Sequence, residues 1–396
     1  MRSGDRIDLT MALALGALLC IGLMSVYSAD SGGDLFYRQL AVVAVGLLVF
    51  IVAYNVPLRM IEELSPFVYP PVAALLVLTM FFGQGPAGRW LVVGPMNLQA
   101  SEFAKTALIV VSARWLPGLK SGAVRWSGPI FLGGVGILVG LTVLQPDLGT
   151  GVTMGLIVLG MLYWAGFGFR WIFLFVSPVL AAVSSIGFGW WLLFTLLLCA
   201  ILYRDRAPAW KWVFLTVLNT TVAALTPVAW NLMMPYQKAR LITFLDPTQD
   251  PQGAGWNIIQ SQVAVGAGRF YGQGFLQGTQ KTLAYLPARH TDFIFSVFAE
   301  EFGFVGSILL LSLYALLIWR ILLAARRSMN PFNSIMAAGV GVYFMIHVFV
   351  NIGMAVGIMP VKGLPLPLMT YGGSHIISEM LMVGLALNAA RNWRSW

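Results

Sequence analysis

Charge is what this sequence has least of. Only 10% of its residues are charged while 59% are hydrophobic, and mean hydropathy is +0.82. Such a chain cannot present the polar surface of a soluble globular domain, so it reads as a polytopic membrane protein. Cysteine is nearly absent. Cys20 and Cys199 both fall in apolar runs, which argues against a disulfide framework or a cysteine metal cluster. Long polar stretches are also scarce, so no room remains for a separate soluble domain, and 1–396 is expected to be one integral membrane domain. No P-loop or dinucleotide pattern, internal repeat or low-complexity tract stands out. The net charge of +9 would suit nucleic-acid binding in a soluble protein. Here most basic residues sit in short breaks between apolar runs, where orientation signals belong, so no nucleic-acid partner is expected.

What is abundant is apolar sequence in runs near the ~20 residues that a spanning helix needs. Segments can be drawn at 8–28, 37–54, 67–83, 101–116, 129–145, 148–165, 171–187, 189–203, 210–230, 292–322, 334–358 and 369–390. The fold class is therefore all-α, with about 12 transmembrane helices. The run after Arg2 and Arg6 lacks a small-residue cleavage pattern and reads as a retained first helix. Alternate breaks carry Arg59; Lys120 and Arg125; Arg170; Arg204, Arg206 and Lys211; Arg326 and Arg327; and Arg391 and Arg394. The positive-inside rule puts those breaks and both termini in the cytoplasm and leaves 231–291 as one long extracellular loop. Segments 171–187 and 189–203 are the weakest spans, forming either a tight hairpin or a re-entrant pair.

Several polar residues interrupt this pattern. Glu102 and Lys105 are three apart and share a helical face, as a local ion pair or as substrate-facing groups. Arg89 and Trp90 suit an interfacial anchor. Gln145, Pro146 and Asp147 read as a turn in which Asp147 caps the next helix. His375 and Glu379, four apart, suggest a buried hydrogen-bonded pair rather than metal ligation. The stretch 360–374 holds three prolines and paired glycines, an irregular backbone tolerated at membrane depth only where it lines a cavity or packs in protein.

The loop 231–291 holds Lys238, Arg240, Arg269, Lys281 and Arg289 against Asp246 and Asp250, so an anionic ligand is plausible there. Its glycines at 266, 268, 272, 274 and 278 permit close backbone approach. Trp256, Ile259, Val263 and Ala267 have the spacing of an amphipathic helix lying on the membrane, with Gln260, Ser261 and Gln262 on its polar side. Asp292 follows His290 and Thr291 where the next apolar run begins. Thr291 or Asp292 could simply cap that helix. Alternatively Asp292 is a general base at the lipid-water boundary, acting on a hydroxyl of a lipid-borne substrate. Spacing alone favours the cap. Glu300 and Glu301 lie two turns deeper, and at least one must face protein or water.

Taken together, GRW, QASEFAK, QPDLGT, PYQKARLITFLDPTQDPQGAGWNIIQSQVAVGAG, GTQKTLAYLPARHTDFIFSVFAEEFGFVG and NIGMAVGIMPVKGLPLPLMTYGGS occur in order along nearly the whole chain. This series resembles the SEDS family (shape, elongation, division and sporulation), and its FLDP and GTQ forms are RodA-like. The resemblance implies a peptidoglycan glycosyltransferase of the cytoplasmic (inner) membrane. Such an enzyme polymerises lipid II, an undecaprenyl-diphosphate-linked disaccharide pentapeptide, by inverting glycosyl transfer during cell elongation and cell-wall biogenesis. It further implies a class B penicillin-binding protein, other elongation-complex proteins and membrane lipids as partners. Matched to the family motifs, Asp292 is the expected catalytic acid. Arg89, Trp90, Glu102, Lys105, Lys238, Arg240, Gln260, Ser261, Lys281, His290, Thr291, Glu300, Tyr371 and Ser374 are expected at the substrate. No cofactor is called for outright, although a bound magnesium or manganese ion is an alternative to loop cations for offsetting diphosphate charge. A lipid II flippase is the competing function. Three departures are evident: Ala100 stands where Pro is usual, Ala288 where an acid is common and His375 where a second Ser follows YGGS. The family typically has ten spans, so the extra pair falls within 171–230.

Overall fold

The computed structural model describes residues 8–30, 33–85, 88–93, 96–121, 127–204, 206, 208–232, 238, 255–278, 290–360 and 363–393. Most of 231–291, including Arg240 and Lys281, lies outside the described residues. The elements in order are α1 Leu9–Ala29, α2 Asp34–Asn55, α3 Leu58–Phe82, β1 Leu91–Val93, β2 Met96–Leu98, α4 Ala100–Ser121, α5 Ser127–Leu144 and α6 Leu148–Trp164. There follow α7 Phe169–Ser184, α8 Phe188–Arg204, α9 Ala209–Leu232, α10 Trp256–Ala267, α11 Ile294–Arg327, α12 Pro331–Ala355 and α13 Gly373–Arg391. Each of the twelve apolar segments is a helix, and the protein is a helical, multi-pass membrane protein. By length and composition, six of the described helices (α1, α2, α3, α9, α11 and α12) can cross a bilayer unaided, whereas α5 to α8 are shorter apolar helices.

The described residues form two compact units, 1–161 with 243–396, and 162–242. In the first, α13 packs chiefly against α2, α11 against α12 and α1, and α4 against α3 and α12. The second holds helices α7 to α9 and covers 171–230, where the extra pair is expected. Its core is small: Ala181, Phe194, Leu198, Leu202 and Ala223, flanked by Phe173, Leu174, Trp191, Trp212 and Leu215.

Two local features depart from expectation. Helix α3 starts at Leu58, nine residues before the drawn segment, and contains Pro66, Pro70 and Pro71. A proline inside a helix strands the carbonyl four residues earlier. For Pro66 that carbonyl belongs to Glu62, and it accepts from Ser65 Oγ at 2.8 Å and Arg114 Nη1 at 2.9 Å. Helix α10 forms over the expected residues, but the side expected to be polar supplies a buried residue, Ser261. Ile258, Ser261 and Ala264 are buried, while Val263 is 46% exposed.

Candidate functional site

Asp292 stands at the mouth of α11, partly exposed, in a turn spanning 290–293. The capping expectation is corrected here. The cap position of α11 is Phe293, with no side-chain capping bond, so neither Thr291 nor Asp292 occupies it. Asp292 is instead held through its main chain: Asn351 Nδ2, from a fully buried side chain on α12, donates to Asp292 O at 3.0 Å and to Leu364 O at 2.7 Å. Gly363 lies under the carboxylate. A Cβ there would stand 3.4 Å from Asp292 Oδ2, and its φ of +62° already favours glycine. His290 O accepts from Tyr371 N at 3.0 Å, and the two rings meet edge to face with centroids 6.0 Å apart.

The irregular backbone of 363–372 packs in protein, as its composition required. Tyr314 of α11 donates to Pro367 O at 2.5 Å, and Glu379 Oε2 accepts from Leu368 N at 2.8 Å. Gln39 of α2 donates to Thr370 O at 3.2 Å and accepts from Gly372 N at 3.1 Å. Gly22 of α1 lets Leu368 approach, since a Cβ at Gly22 would lie 2.4 Å from Leu368 O. With Asn351 of α12 on Leu364 O, five helices thus fix the floor against which Asp292 sits.

Deeper in the same unit is a buried polar network. Lys105 is fully buried and Glu102 is 3% exposed. Lys105 Nζ lies 2.8 Å from Glu102 Oε1, 3.2 Å from His347 Nε2 and 5.2 Å from the centre of the Tyr343 ring. His347 Nδ1 is 3.0 Å from Tyr343 O, so that nitrogen carries the hydrogen and Nε2 accepts from the ammonium. Tyr343 Oη in turn donates to Glu379 Oε1 at 3.0 Å. Ser378 Oγ donates to Glu102 O at 3.0 Å and shares a 2.7 Å bond with Thr106 Oγ1. A charge this deep persists only when paired, which is how Lys105 is arranged. The network reaches the mouth by two routes: Glu379 holds Leu368, and His347 lies one helical turn from Asn351. Sequence spacing missed Tyr343 and His347 as members, and it paired His375 with Glu379. In the structure His375 Nε2 bonds Thr370 O at 2.8 Å, while Glu379 bonds Tyr343 and Leu368.

Helix α11 is interrupted at Gly303, whose φ and ψ are 65° and −162°. The glycine-rich loop after α10 enters that break. Gln273 N and Gly274 N donate to the Glu300 and Glu301 carbonyls at 2.9 and 3.1 Å, and Arg269 O and Phe270 O accept from Phe304 N and Val305 N at 2.9 and 3.1 Å. The loop therefore satisfies the backbone groups that the break exposes. It can do so only without side chains: a Cβ at Gly268 would lie 2.0 Å from Ala299 O, and one at Gly272 would lie 2.0 Å from Glu301 O. Both acids face protein, Glu300 at 0% and Glu301 at 2% exposure. Glu301 Oε1 accepts from Ser28 Oγ and, at 3.1 Å, from Leu276 N, while the Glu300 carboxylate lies against Gly278.

The remaining expected residues are placed as follows. Arg89 donates to Gln145 O at 3.2 Å and to Pro146 O, and lies 3.6 Å from Asp147, joining GRW to QPDLGT. Asp147 caps α6 as expected, accepting from Thr150 N at 3.2 Å. Trp90 pairs with Gln84 at the base of the β1–β2 hairpin, an element that sequence spacing did not show. Ser374 Oγ accepts from Gln99 N at 2.9 Å and donates to Asn97 O at 3.2 Å, tying that hairpin to α13. Ser261 Oγ bonds Ser296 Oγ at 2.6 Å and Ala355 O at 2.7 Å, joining α10 to α11 and α12. Gln260 is half-buried on α10. Lys238 belongs to the second unit and reaches back to Asn231 O at 3.3 Å. Among the described residues no three His, Cys, Asp or Glu side chains are grouped to hold a metal.

With this geometry in hand, likeness to known proteins is informative. The family described as cell cycle protein (FtsW, RodA, SpoVE) matches residues 6–193 and 175–395. Peptidoglycan glycosyltransferase MrdB of Escherichia coli K12 is 37% identical over 393 residues, covering 96% of this chain and 93% of its own length. Peptidoglycan glycosyltransferase RodA of Treponema pallidum is 32% identical over 433 residues, covering 98% of each. A peptidoglycan synthase complex, solved to show structural coordination of polymerization and crosslinking, contains a chain with TM-score 0.74 and 29% identity over 98% of this chain and 99% of that one. Thermus thermophilus RodA, a rod shape determining protein, gives TM-score 0.65 and 26% identity over 98% of each chain.

Proposed function

This chain belongs to the FtsW, RodA and SpoVE family of cell cycle proteins, and from that premise we propose that it is a peptidoglycan glycosyltransferase that polymerises lipid II at the outer face of the cytoplasmic membrane. The observation that carries the reading is Asp292: a partly exposed carboxylate at a helix mouth, its main chain clamped by Asn351 and its carboxylate lying over Gly363. A sugar hydroxyl of one lipid-linked disaccharide attacks the anomeric carbon at the reducing end of another strand. Asp292 takes the hydroxyl proton, the new glycosidic bond forms with inversion, and undecaprenyl diphosphate leaves with the electron pair of the broken bond. Positive charge must meet that diphosphate. Arg269, exposed beside the break in α11, and the loop residues Arg240 and Lys281 are candidates for that role.

Members of the buried network act on the site by holding its floor. A flippase would need Glu102, Lys105, Glu300 and Glu379 along a polar path for cargo. Lys105 is instead bound to Glu102 and His347, and Glu379 to Tyr343 and Leu368, which supports the polymerase reading. A class B penicillin-binding protein is the proposed partner, supported by the similarity to a chain of the synthase complex. The distribution of basic residues among the breaks supports both termini in the cytoplasm and 231–291 outside. Single cysteines at Ser121, Ala207 and Thr279, in a chain lacking Cys20 and Cys199, test this orientation with an impermeant thiol reagent on intact cells. Thr279 should label, and labelling at Ala207 alone would overturn the orientation. Purified protein given labelled lipid II, with and without the transpeptidase, should form glycan polymer and form more of it with the partner. Transfer of lipid II across a vesicle membrane without polymer would establish the flippase instead.

A further inference from the structure

Beside the break in α11 lies a cluster of exposed aromatic side chains that the reaction at Asp292 does not use. In the loop 268–276, Phe270 is 67% and Tyr271 85% exposed, and Phe275 and Leu276 are exposed as well. No other described connection between helices exposes more than one large apolar side chain. The backbone beneath these rings is fixed, being bonded to both sides of the α11 break at Glu300, Glu301, Phe304 and Val305. Only one residue of the loop, Arg269, is charged.

Contacts between α1 and α11 set the level of this cluster in the bilayer. At one end Arg320 Nε of α11 donates at 3.0 Å to Oδ2 of Asp8, the cap of α1. At the other end Ser28 Oγ of α1 donates to Glu301 Oε1. The two helices are therefore antiparallel, and about 20 residues of each, or ~30 Å, separate the two polar contacts. That length matches a hydrocarbon core, so Glu301 and the break at Gly303 stand at one boundary of it. Glu301 Oε1 also accepts from Leu276 N at 3.1 Å, which puts the loop at the same level. Phe270 meets Phe304 of α11 edge to face, with ring centroids 5.8 Å apart. Phe304 in turn heads an exposed apolar stripe, with Ile308 and Leu311, on the spanning part of that helix. The aromatic surface of the loop is thus continuous with one that faces lipid.

We propose that the loop 268–276 is a membrane anchor, with Phe270 and Tyr271 seated among phospholipids at the interface of the leaflet nearer Asp292. Aromatic rings favour that level, where an apolar body meets acyl chains and the Tyr hydroxyl reaches water and headgroups. Because the loop is bonded into the α11 break, seating it holds the first turns of α11, and Asp292 before them, at a set height above the hydrocarbon. A substrate whose tail stays in the bilayer then meets the carboxylate at constant depth. This consequence rests on the reading of Asp292 as the base, whereas the anchor itself does not.

The test uses the full-length protein, lacking Cys20 and Cys199, in nanodiscs of phosphatidylcholine and phosphatidylglycerol. A bimane label on Tyr271→Cys, a position exposed enough to leave packing intact, is read against three quenchers: lipid spin-labelled near the carbonyl end of its acyl chain, lipid spin-labelled near the methyl end, and aqueous iodide. Leu309→Cys, deeper on the exposed face of α11, carries the same label as a reference. The Tyr271 label should lose most of its intensity to the shallow spin label, less to the deep one and little to iodide, and the order of the two lipids should reverse at Leu309. Strong iodide quenching at Tyr271 without quenching by either lipid would overturn the anchor. Loss of lipid quenching at Tyr271 on adding the transpeptidase would also overturn it and assign the cluster to a protein partner. Polymer formation is not read, so failure here leaves the role of Asp292 standing.

Discussion

Helices α12 and α9 are both apolar enough to cross a membrane, yet 72% of an 18-residue window of α12 is buried inside the protein and only 11% of the corresponding window of α9. Each carries a buried asparagine. Asn351 of α12 bridges Asp292 and Leu364, two separate segments near the mouth. Asn219 of α9 reaches Ser177 Oγ at 3.1 Å and its own helix at Leu215 O. The comparison extends to the units that hold them. One surrounds its polar groups with a large interior and uses them to fix a backbone floor. The other has a small core and wide apolar surfaces suited to lipid. Polar residues inside a membrane protein thus mark where geometry must be held, and such buried contacts are fewer in the α7 to α9 unit.

The largest stability effect that sharpens this contrast should come from Lys105. Lys105→Met leaves Glu102 buried without its counter-charge and should cost about 3–5 kcal/mol, read as a lower melting temperature in detergent. Glu102→Gln combined with Lys105→Met should recover much of that loss while activity stays impaired. Equal melting of the single variant and the parent would show that the network is not structural.

Glycine substitutions give the next effect. Gly272→Ala must adopt φ +81° and places Cβ 2.0 Å from Glu301 O, so it should cost at least about 1–3 kcal/mol from backbone strain alone. Gly189→Ala, in α8 with nothing within 4 Å of the added Cβ, should be neutral or stabilise by up to about 1 kcal/mol. Similar shifts at both positions would break the comparison.

The two asparagines give the smallest effect on stability and the clearest functional split. Asn351→Leu should cost about 1–3 kcal/mol by stranding two carbonyls and should lower polymerisation. Both asparagines carry a buried Oδ1 with no hydrogen-bond partner among the described residues, but Asn219 Nδ2 reaches only the Ser177 hydroxyl and a carbonyl of its own helix, so Asn219→Leu should be close to neutral in melting and in polymer yield. Loss of polymer synthesis in Asn219→Leu would show that the second unit takes part in the reaction.

Helix positions were legible because long apolar runs admit little else in a bilayer. Where they were misread, tertiary contacts explain it. Helix α3 extends through a proline because Ser65 and Arg114 satisfy the Glu62 carbonyl, and Ser261, expected on the polar side of α10, is buried because Ser296 and Ala355 O satisfy its hydroxyl. Residue spacing finds neighbours on one helix, so Glu102 and Lys105 were read as a pair. It cannot find Lys105 and His347, 242 residues apart, nor the meeting of Arg89 with Asp147. Asp292 looked like a helix cap on spacing alone; the HTDF motif singled it out, and the structure then moved the cap to Phe293.

The central claim is that Asp292 acts as the base, and Asp292→Asn tests it most directly. The amide keeps the size of the side chain but cannot take the proton, while the main-chain bond to Asn351 is unaffected. Initial rates of polymer formation from labelled lipid II, with the transpeptidase partner present and the variant's melting temperature matched to the parent, should fall by about 100-fold or more. A well-folded Asp292→Asn protein that polymerises lipid II at near the parental rate would contradict the account.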